Sequence, residues 1–228
     1  GAGVSAESGV PTFRGPDGLW EGRRVEDVAT PEAFRRDPAL VQQFYDARRA
    51  ALPGVRPNAA HEALAQLDRE WPGELLLVTQ NVDDLHERAG SRRLLHMHGE
   101  LCSALCLDCG ARRRFEGSGL AEARCLLCGA WRRLRPDIVW FGEMPHHMER
   151  IEAALAAAGL FLAIGTSGNV HPAAGFVDLA RLSGARSIEI NLERSMISHR
   201  FDESRFGKAG ELVPLLVEEL LASTGGAD

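Results

Sequence analysis

Hydrophobic positions along this chain follow two periods. Leu75-Leu76-Leu77-Val78-Thr79 is a short, nearly continuous apolar run, the pattern of a strand covered on both faces in a parallel sheet. Similar runs at Asp137 to Phe141, Leu160 to Ile164 and Ser187 to Leu192 predict three more strands. Between them the spacing is helical. Thr30-Pro31-Glu32 reads as the N-cap, first-turn proline and early acid of a helix running toward Leu52 and ended by Pro53-Gly54. Asn58 caps a second helix to about Trp71, with Leu64 and Leu67 on one face, and further helices are predicted at about 145–158, 172–183 and 211–222. Strands alternating with helices give an α/β fold on a doubly wound parallel, Rossmann-like sheet, whose ligands sit at the carboxyl ends of the strands.

One stretch breaks this rhythm. From Cys102 to Arg135 the chain is rich in Arg, Cys and Gly and holds all five cysteines. It predicts a small inserted module at 102–135, with 1–101 and 136–228 forming the main domain. Cys106-x2-Cys109 and Cys125-x2-Cys128 are separated by 15 residues, the four-thiolate zinc-ribbon spacing. Two disulfides are the alternative, disfavoured in a reducing compartment. A zinc with four protein ligands keeps no position open for a substrate, so its expected role is structural. Cys102 stands outside the pattern as a spare thiol.

Composition narrows the class. At 228 residues, with 45% hydrophobic and 25% charged residues, the chain suits one α/β domain with a small insert. Its longest strongly apolar stretch, Ala153 to Gly165, falls short of the roughly 20 residues that a membrane-spanning helix needs. A net charge of −6 gives no general electrostatic reason to bind nucleic acid or an anionic membrane. The opening residues carry no legible secretory signal. A cytoplasmic monomer without direct nucleic-acid binding is the expectation.

Candidate chemistry gathers at predicted strand ends. Gly1-Ala2-Gly3-Val4-Ser5-Ala6 fits G-x-G-x-x-[GA], the turn that brings backbone N–H groups to a dinucleotide pyrophosphate. The strand that ordinarily precedes such a turn would lie before residue 1, so the first strand of the sheet is expected to be absent from this sequence. A flexible terminal loop is the alternative. Thr79-Gln80-Asn81-Val82-Asp83 follows a buried strand, although capping by Asn and Asp would explain the same residues. His96-Met97-His98-Gly99 places two imidazoles on one side of an extended segment, and such a histidine is suited to general-base work near neutral pH. Gly165-Thr166-Ser167 and Asn191 end two more strands. This convergence favours a nucleotide site.

At these residues the chain resembles the sirtuin family, the NAD-dependent protein-lysine deacylases. Gly1 to Ser5, Glu7 to Arg14, Thr79 to Asp83, Leu85-His86, Ala89-Gly90, His98-Gly99, the two Cys pairs, Arg135-Pro136, Phe141-Gly142-Glu143, Gly165-Thr166-Ser167 and Asn191 match in order over essentially the whole chain. The resemblance implies a cleft between the NAD-binding domain and the zinc module, entered by acyl-lysine of a protein or peptide. It implies that His98 is the catalytic base and that Asn81 assists it. NAD contacts are implied for Gly1, Ala2, Gly3, Ser5, Ala6, Pro11, Thr12, Phe13, Arg14, Trp20, Gln80, Asn81, Val82 and Asp83. They are implied also for Gly165, Thr166, Ser167, Asn191, Leu192, Glu193 and Ala209. Val139, Trp140, Phe141, Gly142 and Glu143 resemble the strand that pairs with the substrate peptide. The products implied are nicotinamide, O-acyl-ADP-ribose and free lysine.

Tyr45-Asp46-Ala47-Arg48 bears on the acyl group, in a helical segment, 30–53, that adds an acyl pocket to the main domain. Tyr45 and Arg48 are an i,i+3 pair, similar to the Tyr-x-x-Arg signature of class III sirtuins. That branch accepts succinyl, malonyl or glutaryl lysine. Arg offers a planar fork for a carboxylate and Tyr a hydroxyl donor, and Ala29 matches a position kept small. An ordinary amphipathic helix is the alternative for the pair alone. Within the same chemistry, a plain deacetylase or mono-ADP-ribosyl transfer are competing readings, and a non-catalytic reader of acyl-lysine or NAD is a further one.

Overall fold

A computed structural model describes residues 1–12, 19–20 and 22–224. The chain opens with one helical turn, α1 (Gly3–Ala6), and a short antiparallel ribbon, β1 (Leu19–Trp20) and β2 (Arg23–Arg24). Helices α2 (Val25–Val28), α3 (Pro31–Arg36), α4 (Pro38–Ala51) and α5 (Ala59–Glu70) follow, then β3 (Leu77–Thr79), α6 (Leu85–Ala89) and β4 (Leu94–His96). An antiparallel unit comes next, built from β5 (Gly99–Cys106), β6 (Arg112–Arg114) and β7 (Leu134–Ile138). The rest is α7 (Met148–Ala157), β8 (Leu160–Ile164), α8 (Phe176–Leu182), β9 (Arg186–Asn191), β10 (Glu203–Phe206) and α9 (Ala209–Thr224).

Strands β10, β9 and β8 are parallel neighbours in that order, and β3 and β4 form a second parallel pair not hydrogen-bonded to the first group. Alternate residues of a strand point to opposite faces. Leu160, Leu162 and Ile164 of β8 accordingly join Ile188 and Ile190 against α5 and α9, whereas Phe161 joins the core beneath α7 and α8. Helices therefore cover both faces, which makes the sheet doubly wound. Each fully buried side chain here, such as Ile188 or Leu216, contributes about 1.5–3 kcal/mol. A third core joins Val28, Val41 and Tyr45 to Leu101, Ile138 and Trp140, and a fourth lies in the antiparallel unit around Ala104, Leu120 and Leu134.

Two expected elements are corrected. The helix expected from Thr30 to Leu52 is broken at Asp37, whose φ and ψ of −145° and 80° are not helical. Pro38 disfavours helical geometry in the residue before it. The Asp37 carboxylate restarts the helix by accepting from the Leu40 N–H at 2.9 Å. Thr30 does cap the first piece, accepting from Ala33 N–H at 3.0 Å. The strand expected at Asp137 to Phe141 lies earlier, at Leu134–Ile138, and pairs antiparallel with β5. All five residues of β7 are buried, so its composition imitates a parallel core strand. Among smaller shifts, α7 begins at Met148 rather than near 145. Among the described residues, no helix is long and apolar enough to cross a membrane.

Candidate active site

The carboxyl ends of β3, β8 and β9 meet the first turn of the chain around a cavity of ≈ 1150 Å³. Ala2, Gly3, Ser5, Pro11 and Thr12 line it from the amino-terminal segment, and Gln80, Asn81, Val82 and Asp83 line it from the loop after β3. Gly165, Thr166 and Ser167 enter after β8, and Asn191, Leu192 and Glu193 after β9. The glycines are needed because two backbones interlock. Gly3 N–H donates to Gly165 O at 2.8 Å. Gly165 has φ +61°, and a Cβ there would drive into the Val4 amide and lie 2.7 Å from the Gly3 carbonyl carbon. Asn191 ties two strand ends together, donating from Nδ2 to Thr166 O at 2.7 Å and to the buried Glu189 at 2.8 Å.

Ser5, fully buried, is the hub beneath this rim. The Asn58 N–H donates to His61 Nδ1 at 3.3 Å, so Nε2 carries the ring proton and donates to Ser5 Oγ at 3.2 Å. Asn81 Nδ2 also donates to Ser5 Oγ, at 3.0 Å. The Ser5 hydroxyl is left to bond Asp83, whose carboxyl burial pushes above the usual range despite that bond and one from Leu85 N–H. Burial pushes His61 down to about 4, consistent with a neutral ring. His61 escaped sequence reasoning, and its only signal is the Asn58-x-x-His61 spacing at a helix start.

His98 lines the cavity and its Nδ1 lies 3.2 Å from Gln80 O. A carbonyl only accepts, so Nδ1 holds the proton and Nε2 keeps a lone pair. Burial lowers its pKa below the ordinary value, against the pull of the Gln80 bond. The ring is therefore a neutral base near pH 7. His96, whose side chain the sequence left without a role, does not line this cavity. It spans Asn81 O at 3.0 Å and Glu87 at 2.6 Å. Burial works against its charge, but the Glu87 carboxylate prevails and raises its pKa. It thereby pins the Asn81 backbone.

The opposite wall comes from α4 and the segment after β7. Tyr45, Arg48, Ala29, Trp20 and Val139 to Glu143 all line it. Tyr45 is buried, and its hydroxyl accepts from Trp140 Nε1 at 3.0 Å. Burial raises the phenol pKa, opposed by the Trp140 bond and the Arg48 and Arg135 charges. The Arg48 guanidinium lies over the Phe44 ring, 3.2 Å from its centroid, and donates to Phe44 O at 2.8 Å. The segment 139–143, expected as a strand, is not one: residues 141–143 turn. Four of its N–H groups are committed, Val139 to His98 O, Trp140 to Glu143 Oε2, Phe141 to Ala29 O and Glu143 to Trp140 O.

Three expected contacts lie off the cavity lining. Gly1 sits at the end of β8, its ammonium donating to Ile164 O at 2.7 Å, Ala6 is exposed at the end of α1, and Ala209 packs in the core with Val4 and Val213. Phe13 and Arg14 lie outside the described residues. Asn169, His171 and Arg194 line the cavity without having been anticipated, because they sit in loops that carry no periodicity.

The four cysteines meet. Cys106 and Cys128 sulfurs are 3.7 Å apart, Cys109 and Cys125 3.6 Å, and all four lie within 4.8 Å of one another. Tetrahedral zinc with ~2.3 Å bonds sets its sulfurs roughly 3.8 Å apart, so the set fits zinc, held by these four residues in a closed shell.

The Sir2 family model matches residues 1–172. The chain is 54% identical over 227 residues to the NAD-dependent protein deacylase of Yersinia pseudotuberculosis, covering 99% of this chain and 82% of that one. A Sir2 homologue mutant in complex with ADP-ribose superposes with a TM-score of 0.90 at 40% identity, covering 100% of this chain and 91% of the other. A Sir2 homologue in complex with NAD gives 0.88 at 41% identity, over 97% and 87%. The family model and these likenesses over nearly the whole chain, together with the doubly wound sheet and the four-cysteine cluster, lead to one conclusion: the chain belongs to the Sir2 family, as a sirtuin of the bacterial class III type.

Proposed function

We propose that this chain removes acidic acyl groups, succinyl and malonyl foremost, from lysine side chains of proteins. As a Sir2-family chain 54% identical to a protein named NAD-dependent protein deacylase, it is itself an NAD-dependent protein deacylase. NAD, when bound, supplies the labile nicotinamide–ribose bond and the ADP-ribose that accepts the acyl group. The residues that would hold it are the interlocked Gly3 and Gly165, Gln80, Asn81 and Asp83, Ser167 and Asn191, which line one continuous cavity. His98, neutral and with its Nε2 lone pair unprotonated, would accept a proton at Nε2 as general base when NAD is bound. Free lysine, nicotinamide and O-acyl-ADP-ribose are the products of this reading. Zinc at the four cysteines holds the small module together and takes no part in the reaction. The enzyme is read as a cytoplasmic monomer acting on acylated proteins.

The acyl preference rests on one observation. Tyr45 is buried and lines the cavity, and among the described residues no acceptor takes its own hydroxyl hydrogen. An unmade hydrogen bond of a buried donor costs about 1–3 kcal/mol. A terminal carboxylate, acceptor-only, would use that donor, with Arg48 on the same helix supplying charge. Ala29 lines the same cavity and brings only a methyl group to it. The test is Tyr45→Phe and Arg48→Met, assayed on matched succinyl-lysine and acetyl-lysine peptides. A charge-assisted bond is worth about 1.5–3 kcal/mol, so each change lowers succinyl kcat/KM about ten- to a hundredfold more than acetyl. Equal losses on both peptides overturn the assignment.

A further inference from the structure

We propose that Trp140 is a positioning residue for acyl selectivity, whose indole N–H fixes Tyr45 as a hydrogen-bond donor toward the acyl terminus. The inference rests on the reading of Tyr45 and Arg48 as a carboxylate site. An indole N–H only donates. At 3.0 Å from the Tyr45 oxygen it occupies a lone pair there, so the phenol must accept from Trp140 and point its own hydrogen elsewhere. Tyr45 is buried, and among the described residues no acceptor takes that hydrogen. Because Tyr45 lines the cavity, the hydroxyl is left to donate to a group bound there, and it discriminates for a terminal group that accepts without donating.

Trp140 cannot readily swing out of this role. It is 2% exposed, with the Arg135 guanidinium 3.5 Å from its ring centroid and the Phe34 ring at 5.2 Å. Arg135 is itself fixed, bidentate to Glu143 at 2.7 and 2.9 Å and donating to Ile138 O at 2.5 Å. Glu143 also accepts the Trp140 backbone N–H at 2.9 Å. One carboxylate thus holds both the tryptophan backbone and the cation on its ring. The Tyr45 hydroxyl is the far end of a chain that begins at Glu143.

The experiment is a double-mutant cycle of Trp140→Phe with Tyr45→Phe, reading the ratio of succinyl to acetyl kcat/KM and the succinyl KM. Phenylalanine keeps a ring against Arg135 and removes the N–H. A neutral hydrogen bond is worth about three- to tenfold, so Trp140→Phe lowers the ratio by about that factor, mainly through a higher succinyl KM. With Tyr45→Phe already present, the further change is under about twofold, because the partner hydroxyl is gone. If Trp140→Phe folds poorly, site-specific replacement of Trp140 by benzothienylalanine, which keeps the bicyclic shape and lacks only the N–H, gives the same loss. An unchanged ratio, or an equal fall with and without the Tyr45 hydroxyl, overturns the role of Trp140 and leaves the Tyr45 assignment standing. If Tyr45→Phe alone leaves the ratio unchanged, the carboxylate site itself fails.

Discussion

Gly165→Ala is the sharpest local probe of how this fold builds its dinucleotide rim. The residue holds φ +61°, and a Cβ would collide with the backbone of Gly3 and Val4, not with side chains able to turn aside. Two costs follow. A left-handed backbone costs an alanine about 1–2 kcal/mol. Displacing the first turn also breaks the 2.8 Å Gly3 to Gly165 hydrogen bond, worth about 0.5–1.5 kcal/mol. The sum is about 1.5–3.5 kcal/mol, with the glycine turn moved out of place. Gly184→Ala is the matched control, since Gly184 has φ +88° but nothing within 4 Å of the added carbon. It carries the backbone cost alone. Urea denaturation should show Gly165→Ala less stable than Gly184→Ala by the value of the lost contact. A misplaced binding element of this kind costs about ten- to a hundredfold, so the KM for NAD rises by that factor in Gly165→Ala and stays at the parent value in Gly184→Ala. Equal stability and equal NAD KM in the two variants would refute the interlock.

Removing one zinc thiolate with Cys125→Ser should abolish the single zinc per chain measured by native mass spectrometry and expose 102–135 to proteolysis, because four-thiolate zinc contributes about 10–16 kcal/mol of apparent binding energy in small modules. Retained stoichiometric zinc would contradict the ligand set. Burial holds His61 down to about 4 and His86 down to about 3, while both titrate near 6.5 once unfolded. The unfolded state therefore binds protons first as pH falls. Their stabilising effect is complete above about pH 6.5 and is lost toward pH 4 for His61 and toward pH 3 for His86, at up to about 1.4 kcal/mol per pH unit for each ring. Urea midpoints at pH 7, 6 and 5 check this, and a His61→Gln variant should show a shallower decline; identical slopes would count against a neutral buried His61.

Much of this architecture was legible because local chemistry decided it. Thr30 and Asn58 cap helices as read, since each side-chain oxygen meets an N–H two or three residues on. The cysteine pairs converge because each knuckle already sets two sulfurs. Where tertiary context decides, the reading failed. Leu134 to Ile138 is buried by the antiparallel unit, so apolarity alone could not tell which sheet would cover it. The strand at Glu203–Phe206 is short and polar, with no apolar run to reveal it. The carboxyl ends of the strands did foretell one half of the cavity. The other half, from Tyr45 to Trp140, is joined by a hydrogen bond spanning 95 residues, which periodicity does not carry.

The most direct test of the central claim is mass-spectrometric product analysis of matched succinyl-lysine and acetyl-lysine peptides incubated with NAD, alongside a His98→Ala variant. The account predicts faster removal of succinyl, O-succinyl-ADP-ribose and nicotinamide formed in equal amounts, and no turnover by the variant. Preference for acetyl would contradict the Tyr45 and Arg48 pocket, and undiminished product formation by His98→Ala would contradict the assignment of the base.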